Sequence, residues 1–137
     1  NNILELGCYH GLSTTIMTRA LKDAGNRGTM TTLDVFEENI NKTKANVQRQ
    51  TPDVKIKYEV ADAINFVLSN NNKYDLIFVD ANHTYDWMKI LTQKLSTVAE
   101  GKIVFHDFFH KNTGVQKAVE EVLGSTKNKI GSIGVYE

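Results

Sequence analysis

At 137 residues and 41% hydrophobic content the chain has material for one domain around one core, with no room for a second. Sixteen basic residues balance sixteen acidic ones and are interspersed with them, so the counterion-release drive of a nucleic-acid-binding surface is missing and small-molecule partners are favoured. The single cysteine, Cys8, forbids an internal disulfide, and neither a signal-peptide pattern nor a membrane-spanning run is present; the expected location is cytoplasmic, away from the membrane.

Apolar runs alternate with helical periodicity along the whole chain, the pattern of a parallel sheet covered on both faces, and predict a doubly wound α/β fold. The first strand is expected over Asn2–Leu6, running into Gly7-Cys8-Tyr9-His10-Gly11 before a helix over Ser13–Ala24. Gly7 would let the backbone turn without a Cβ clash, and Gly11 would let the first helical turn sit close to a ligand or to the strand. Tyr9 stands where a dinucleotide fingerprint needs its middle glycine, and no G-x-x-x-x-G-K-[ST] loop occurs. Glu5, just before the turn, would face a pyrophosphate with an uncompensated negative charge, so a ligand with a cationic group suits the bend better.

A second strand over Thr29–Val35 ends in Asp34, an acceptor suited to the ribose hydroxyls of any adenosine-containing cofactor, and precedes a helix over Glu37–Gln50. The third, Lys55–Val60, leads into Asp62 and Ala63 and a helix over Ala63–Asn70; Asp62 reads equally well as a helix cap. The fourth, Tyr74–Asp80, precedes a helix over Tyr85–Val98, in which Trp87, Met88, Ile90 and Leu91 are expected to cover the sheet. The fifth, Lys102–His106, precedes a helix over Val115–Leu123, and the tail Asn128–Glu137 reads as a sixth edge strand. Ser13 and Thr84 suit helix capping, while Gly25, Gly28, Gly101, Gly114 and Gly124 fall at expected junctions.

With strand order 3-2-1-4-5, ligands would bind beyond the carboxyl ends, where every strand leads into an acid. That order also makes neighbours of Asp80-Ala-Asn-His83 and His106-Asp107-Phe-Phe-His110. Two chemistries compete there. Asp80 and Asp107 could hold Mg²⁺ or Mn²⁺ against a substrate oxygen, or His83 or His106 could act as a general base without metal. Each histidine, His110 included, could also be a plain surface or capping residue. Cys8 reads as a packed residue, and Phe108 and Phe109 as pocket lining or as an edge seal.

Glu5-Leu6-Gly7 followed by Gly11, Ser13 and Thr14 resembles motif I of the class I S-adenosylmethionine (SAM) dependent methyltransferases. Asp80-Ala-Asn-His83-Thr-Tyr85 and Gly101-Lys-Ile-Val-Phe-His106-Asp107 resemble the D-x-x-H-x-Y and G-G-x-I-x-x-H-D patterns of a branch with many small-molecule and sugar O-methyltransferases. The resemblance implies a Rossmann-like, mainly parallel sheet and a single SAM-binding core over residues 1–137; the class usually carries helices ahead of the first strand, and their absence here is expected as a departure from it. It implies SAM held by Glu5, Gly7, Cys8, Tyr9, Gly11 and Ser13 at the bend, by Asp34 and Val35, with Phe36, at the nucleoside, by Asp62 and Ala63 at the adenine edge, and by Asp80. His83, His106 and Asp107 would be catalytic, with a Mg or Mn ion on Asp80 and Asp107. Phe108 follows Asp107 where cation-dependent relatives have an asparagine, which removes one ligand. The methyl acceptor would be a small molecule or sugar, with oligomeric state open. The alternatives are a nicotinamide-dependent oxidoreductase, which shares Asp34 but is opposed by Tyr9 and Glu5, and a SAM-binding module without turnover.

Overall fold

The computed structural model describes residues 2–110, 113–126 and 128–137. In chain order the elements are β1 (Asn2–Leu6), α1 (Leu12–Asp23), β2 (Thr29–Asp34), α2 (Glu37–Gln50), β3 (Ile56–Val60), α3 (Ala63–Ser69), β4 (Tyr74–Val79), α4 (Tyr85–Leu95), β5 (Ala99–Phe105), α5 (Val115–Leu123), β6 (Asn128–Ile130) and β7 (Ile133–Tyr136). The sheet order is β3-β2-β1-β4-β5-β7-β6, with the first five strands parallel and β7 antiparallel to both β5 and β6.

The tail is therefore a hairpin and not one edge strand. Gly131, at φ +60°, and Ser132 turn the chain between β6 and β7, the left-handed backbone that a two-residue hairpin loop requires. Gly134 on β7 carries no Cβ, and one placed there would stand 2.5 Å from Cγ of Phe108, so the Phe108 ring fills that space and is fully buried. Phe108 thus packs in the core against β7, with Phe109 in a T-shaped contact at 4.7 Å. Gly101 lies within β5 and not at a junction. It faces a register shift between Tyr74 and Leu76, where a Cβ would meet the Asp75 backbone.

The two sheet faces differ in chemistry. Leu4, Leu6, Ile77, Val79 and Phe105 join Met88, Leu91 and Leu95 of α4 and Val115, Ala118 and Val119 of α5 in the larger apolar core. Trp87 packs at its margin, whereas Ile90 of the same helix is exposed. The opposite face holds a small cluster of Ile3, Leu21, Met30 and Val54, together with buried Glu5, Thr14, Thr18, Thr32, Thr43 and Thr51. Helix α1 consequently turns its threonines inward, and its apolar residues Leu12 and Ile16 stand 79% and 62% exposed. The expected caps also differ: the N-cap of α1 is Gly11 with Ser13 inside the helix, and Thr84 precedes α4 without a side-chain cap bond. Asn82 Oδ1 accepts the Thr84 N–H instead, at 2.9 Å.

Candidate active site

Backbone hydrogen bonds extend past the strand ends and align them in one row. Gly7 N–H donates to Leu33, Asp80 N–H to Leu6, Ala61 N–H to Asp34 and His106 N–H to Val79, all at 2.9–3.0 Å. Gly7, Asp34, Asp80 and His106 therefore share the carboxyl edge of the sheet, and β1, flanked by β2 and β4, marks the point where strand order reverses.

The bend between β1 and α1 holds three positive φ values, at Gly7, Tyr9 and Gly11. A Cβ on Gly7 would press into the Asp80 carbonyl, 2.8 Å from its carbon. A Cβ on Gly11 would stand 2.8 Å from Cγ2 of Thr43, so Gly11 permits the approach of α2, and it also lines the cleft. Glu5 is 0% exposed and does not open onto the cleft. Its carboxylate accepts hydroxyl hydrogens from Ser13 and Thr14 at 2.5 Å and from Thr32 at 2.6 Å, tying β1, α1 and β2 together. Burial raises its pKa, opposed by those three bonds. Glu5 thus braces the bend from beneath, where the sequence pointed to a partner for a cationic ligand, while Ser13 also borders the cleft. Cys8 is buried as well, accepts the Thr43 hydroxyl at 3.3 Å, and has its thiol pKa pushed up by burial. Tyr9 is exposed and stacked on His10 with centroids 3.8 Å apart.

Asp34, 9% exposed, is held from both sides. Its Oδ2 accepts the Tyr9 N–H, and its Oδ1 accepts the Phe36 N–H and the Asn39 amide, each at 3.0 Å. Val35, Phe36 and Val60 are exposed beside it. Asn39 carries no motif that would have singled it out from the sequence. Further along the edge Asp62 accepts the Asn65 N–H at 3.0 Å as the N-cap of α3, and Ala63 is buried.

At the β4 and β5 ends, Oδ1 of Asp80 faces His83 Nε2 at 3.4 Å and His106 Nδ1 at 3.2 Å, and Asp107 Oδ1 lies 3.4 Å from the same His106 nitrogen. Both imidazole nitrogens are shielded from solvent and lack a hydrogen-bond partner, so these are ion contacts without hydrogen-bond geometry. The Asp80 carboxylate nonetheless raises the His83 pKa above the ordinary imidazole value, with burial pulling the other way. His83 is fixed through its carbonyl, which accepts the Gly114 N–H at 3.0 Å. Asp107 sits at φ +49°, its carbonyl accepting from His110 N–H and the Thr113 hydroxyl. His110 is exposed, away from the other two histidines, in a shallow depression with Gln116 and Lys117.

Among the described residues the set that converges is Asp80, His83 and His106, with donor atoms within 4.8 Å of one another; Asp107 is outside it. This set offers two imidazoles and one carboxylate, where the sequence pointed to the carboxylates of Asp80 and Asp107. Mg²⁺ prefers an octahedral shell of oxygens, so these residues do not fit it. A cleft of about 1070 Å³ runs from the bend along α1, bordered by Tyr9, Ser13, Ile16, Phe78, Asp80 and His106. Phe78 and Ile16 escaped the sequence reading because each looks like an ordinary core residue.

A family model described as a methyltransferase domain matches residues 4–108. No curated protein matches the chain. Among solved structures, the O-methyltransferase from Bacillus cereus in complex with SAH superposes with a TM-score of 0.74 at 17% identity, over 98% of this chain and 72% of that one. The SAH-bound Podospora anserina methyltransferase PaMTH1 gives 0.64 at 25% identity, over 79% and 46%. The StiE O-MT gives 0.61 at 15% identity, over 78% of this chain and 37% of its own length, so the chain spans well under half of that structure. The edge at which this sheet collects its acids, glycines and histidines lies within or just beside the matched span, and the chain belongs to the methyltransferase domain family.

Proposed function

We propose that this chain is the SAM-binding, catalytic core of an O-methyltransferase acting on a small molecule or sugar. The observation that carries the reading is Asp34, locked by three donors on a carboxyl edge that also holds, two strands away, the Asp80–His83–His106 set. SAM fits this edge: its positive groups suit the partly exposed Asp80 carboxylate in the cleft.

SAM when bound supplies a methyl group activated by a sulfonium. The chain's part is to bind, orient and move one proton. Asp34 would accept a ribose hydroxyl on the one Oδ2 lone pair that its three donors leave, and Val35, Phe36 and Val60 offer the apolar surface an adenine face needs. Asp62 keeps one oxygen for the adenine edge while the other caps α3. His83 would take the acceptor hydroxyl's proton at Nδ1, and Asp80 beside Nε2 would stabilise the imidazolium so formed. His106, with Asp107 beside the same ring nitrogen, orients Asp80 from the β5 side. Phe78 and Ile16 border the cleft and keep an acceptor near this corner dry.

The same reading takes residues 1–137 as one domain acting in the cytoplasm; no helix among the described residues is long and apolar enough to cross a membrane. Calorimetric titration with SAH and, separately, with NAD is the test. Micromolar one-to-one binding of SAH and none of NAD is expected, with SAH binding lost in Asp34→Ala. NAD binding without SAH binding would reverse the reading in favour of an oxidoreductase. SAH binding without methyl transfer from labelled SAM to any phenol or sugar in a broad panel would leave a binding module.

A further inference from the structure

We propose that Thr43 and Asn46 of α2 are positioning residues for the cofactor: they hold the carbonyls of Tyr9 and His10 and so fix the bend that lines the cleft. The proposal rests on the SAM-binding reading for the identity of the ligand, and on the contacts of α2 for its geometry.

Helix α2 is mostly polar, and its buried residues are Ile40, Thr43 and Val47. A hydroxyl set between two aliphatic neighbours needs a partner, because a buried polar group left unpaired is costly. Thr43, fully buried, finds one in the bend: its Oγ1 donates to the Tyr9 carbonyl at 3.1 Å, with Cys8 Sγ as a second acceptor at 3.3 Å. Its methyl group lies against Gly11, where a Cβ would stand 2.8 Å away. One turn further along, Asn46 Nδ2 donates to the His10 carbonyl at 2.8 Å, and its Oδ1 accepts from Arg49, which fixes which way the amide points. Asn39, Thr43 and Asn46 fall at i, i+4 and i+7, so one stripe of α2 holds Asp34 through Asn39 and residues 8–11 through the other two.

Tyr9 is where these contacts meet. It is a non-glycine residue at φ +47°, a conformation that bulky side chains rarely adopt without support. Its N–H donates to Asp34 Oδ2 at 3.0 Å and its carbonyl accepts from Thr43, so its two sides are tied to the proposed ribose acceptor and to α2. Without the Thr43 hydroxyl the bend relaxes from this conformation, the Tyr9 N–H leaves Oδ2, and Asp34 loses one of its three donors. Cys8, Tyr9, His10, Gly11 and Asn46 border the same cleft, so a shift of the bend is a shift of its wall.

Calorimetric titration of SAH into a set of α2 variants tests this, with amide hydrogen exchange of the ligand-free chain alongside. Thr43→Val keeps the shape and removes the hydroxyl, and should weaken SAH binding about tenfold; Thr43→Ser keeps the hydroxyl and should stay within about threefold of wild type. Asn46→Ala should weaken binding by about three- to tenfold; Asn46 is only partly buried and alanine is the better helix former, so this variant folds even where Thr43→Val does not. Gln48→Ala, at an exposed position on the opposite side of α2, should leave binding unchanged. Without ligand, Thr43→Val, or Asn46→Ala in its place, should speed exchange of the Tyr9 amide at least about tenfold more than that of Ile77 in the core, which a general loosening of the fold does not do. SAH affinity within about threefold of wild type in both Thr43→Val and Asn46→Ala, no rescue by serine, or equal acceleration at Tyr9 and Ile77 would each overturn the proposal. A wild-type chain that binds NAD and not SAH defeats the methyl-transfer reading alone, since the same variants titrated with NAD still decide this one. SAH binding of unchanged affinity across the variants defeats this proposal alone.

Discussion

Replacing Gly7 by alanine asks whether the bend is clamped against Asp80. At φ +92° an alanine costs about 1–2 kcal/mol for the left-handed backbone alone. Its Cβ would also press on the Asp80 carbonyl oxygen and stand 2.8 Å from the carbonyl carbon and 2.9 Å from Cα of Ala81, where ordinary contact begins at 3.4 Å. Those atoms are backbone and cannot swing aside. The strands must part, at the expense of the 2.9 Å bond from Asp80 N–H to Leu6, which adds about 1–3 kcal/mol. The expected total is about 2–5 kcal/mol, a fall in Tm of roughly 10–15 °C at the middle of that range. Gly25→Ala is the control. Its φ is +82°, but the nearest atom to the new Cβ is Arg27 Nε at 3.8 Å, so only the backbone cost of about 1–2 kcal/mol remains. Thermal melts of both variants, with SAH titration alongside, read out the difference. Gly7→Ala should also weaken SAH binding by more than about tenfold, because Asp80 shifts with the bend, and Gly25→Ala should not. Equal losses in both variants would refute the clamp.

Asp34→Asn puts an NH₂ group where an oxygen now accepts a backbone or amide hydrogen; it should lower stability by about 1–3 kcal/mol in a melt without ligand and SAH affinity by roughly 10–100-fold by calorimetry. For Glu5 the folded pKa is raised, so its protonated form favours folding: its contribution is fully present below the ordinary carboxylate value of 4.5 and is lost as pH rises toward the folded pKa. Urea melts across that window should show a smaller fall of stability with rising pH in Glu5→Gln than in wild type. Gly134→Ala should cost about 1–3 kcal/mol in the same assay, because the Phe108 ring already occupies the space.

The fold was legible because each crossover carries its own signal: a β-rich run, a turn and a periodic helix. β1, α2 and α5 have the bounds the sequence predicts, and β2 and β4 each stop one residue earlier. The orientation of α1 was not legible. Its apolar Leu12 and Ile16 suggest an inward face, but the buried Glu5 carboxylate needs hydroxyl donors, and Thr14 turns inward to supply one. Such pairing of a buried charge with one helix face depends on strand register, which periodicity cannot express. The hairpin was missed although Gly131-Ser132 is a turn signal, because Ile130, Ile133 and Val135 read as one apolar run. At the site, the spacing of Asp80 and His83 and the predicted neighbouring of β4 and β5 brought His106 to Asp80. The roles of Asp107 and His110 were less accessible: both follow β5 directly in sequence, yet the positive φ at Asp107 turns the chain sharply and leaves His110 in solvent.

A crystal structure of the chain with bound SAH tests the central claim most directly. The account predicts the adenosyl group over Val35, Phe36 and Val60, with Asp34 on the ribose and the sulfur directed toward the corner of Asp80 and His83. SAH bound elsewhere, or a carboxyl edge that stays filled by the protein's own side chains at saturating SAH, would contradict it.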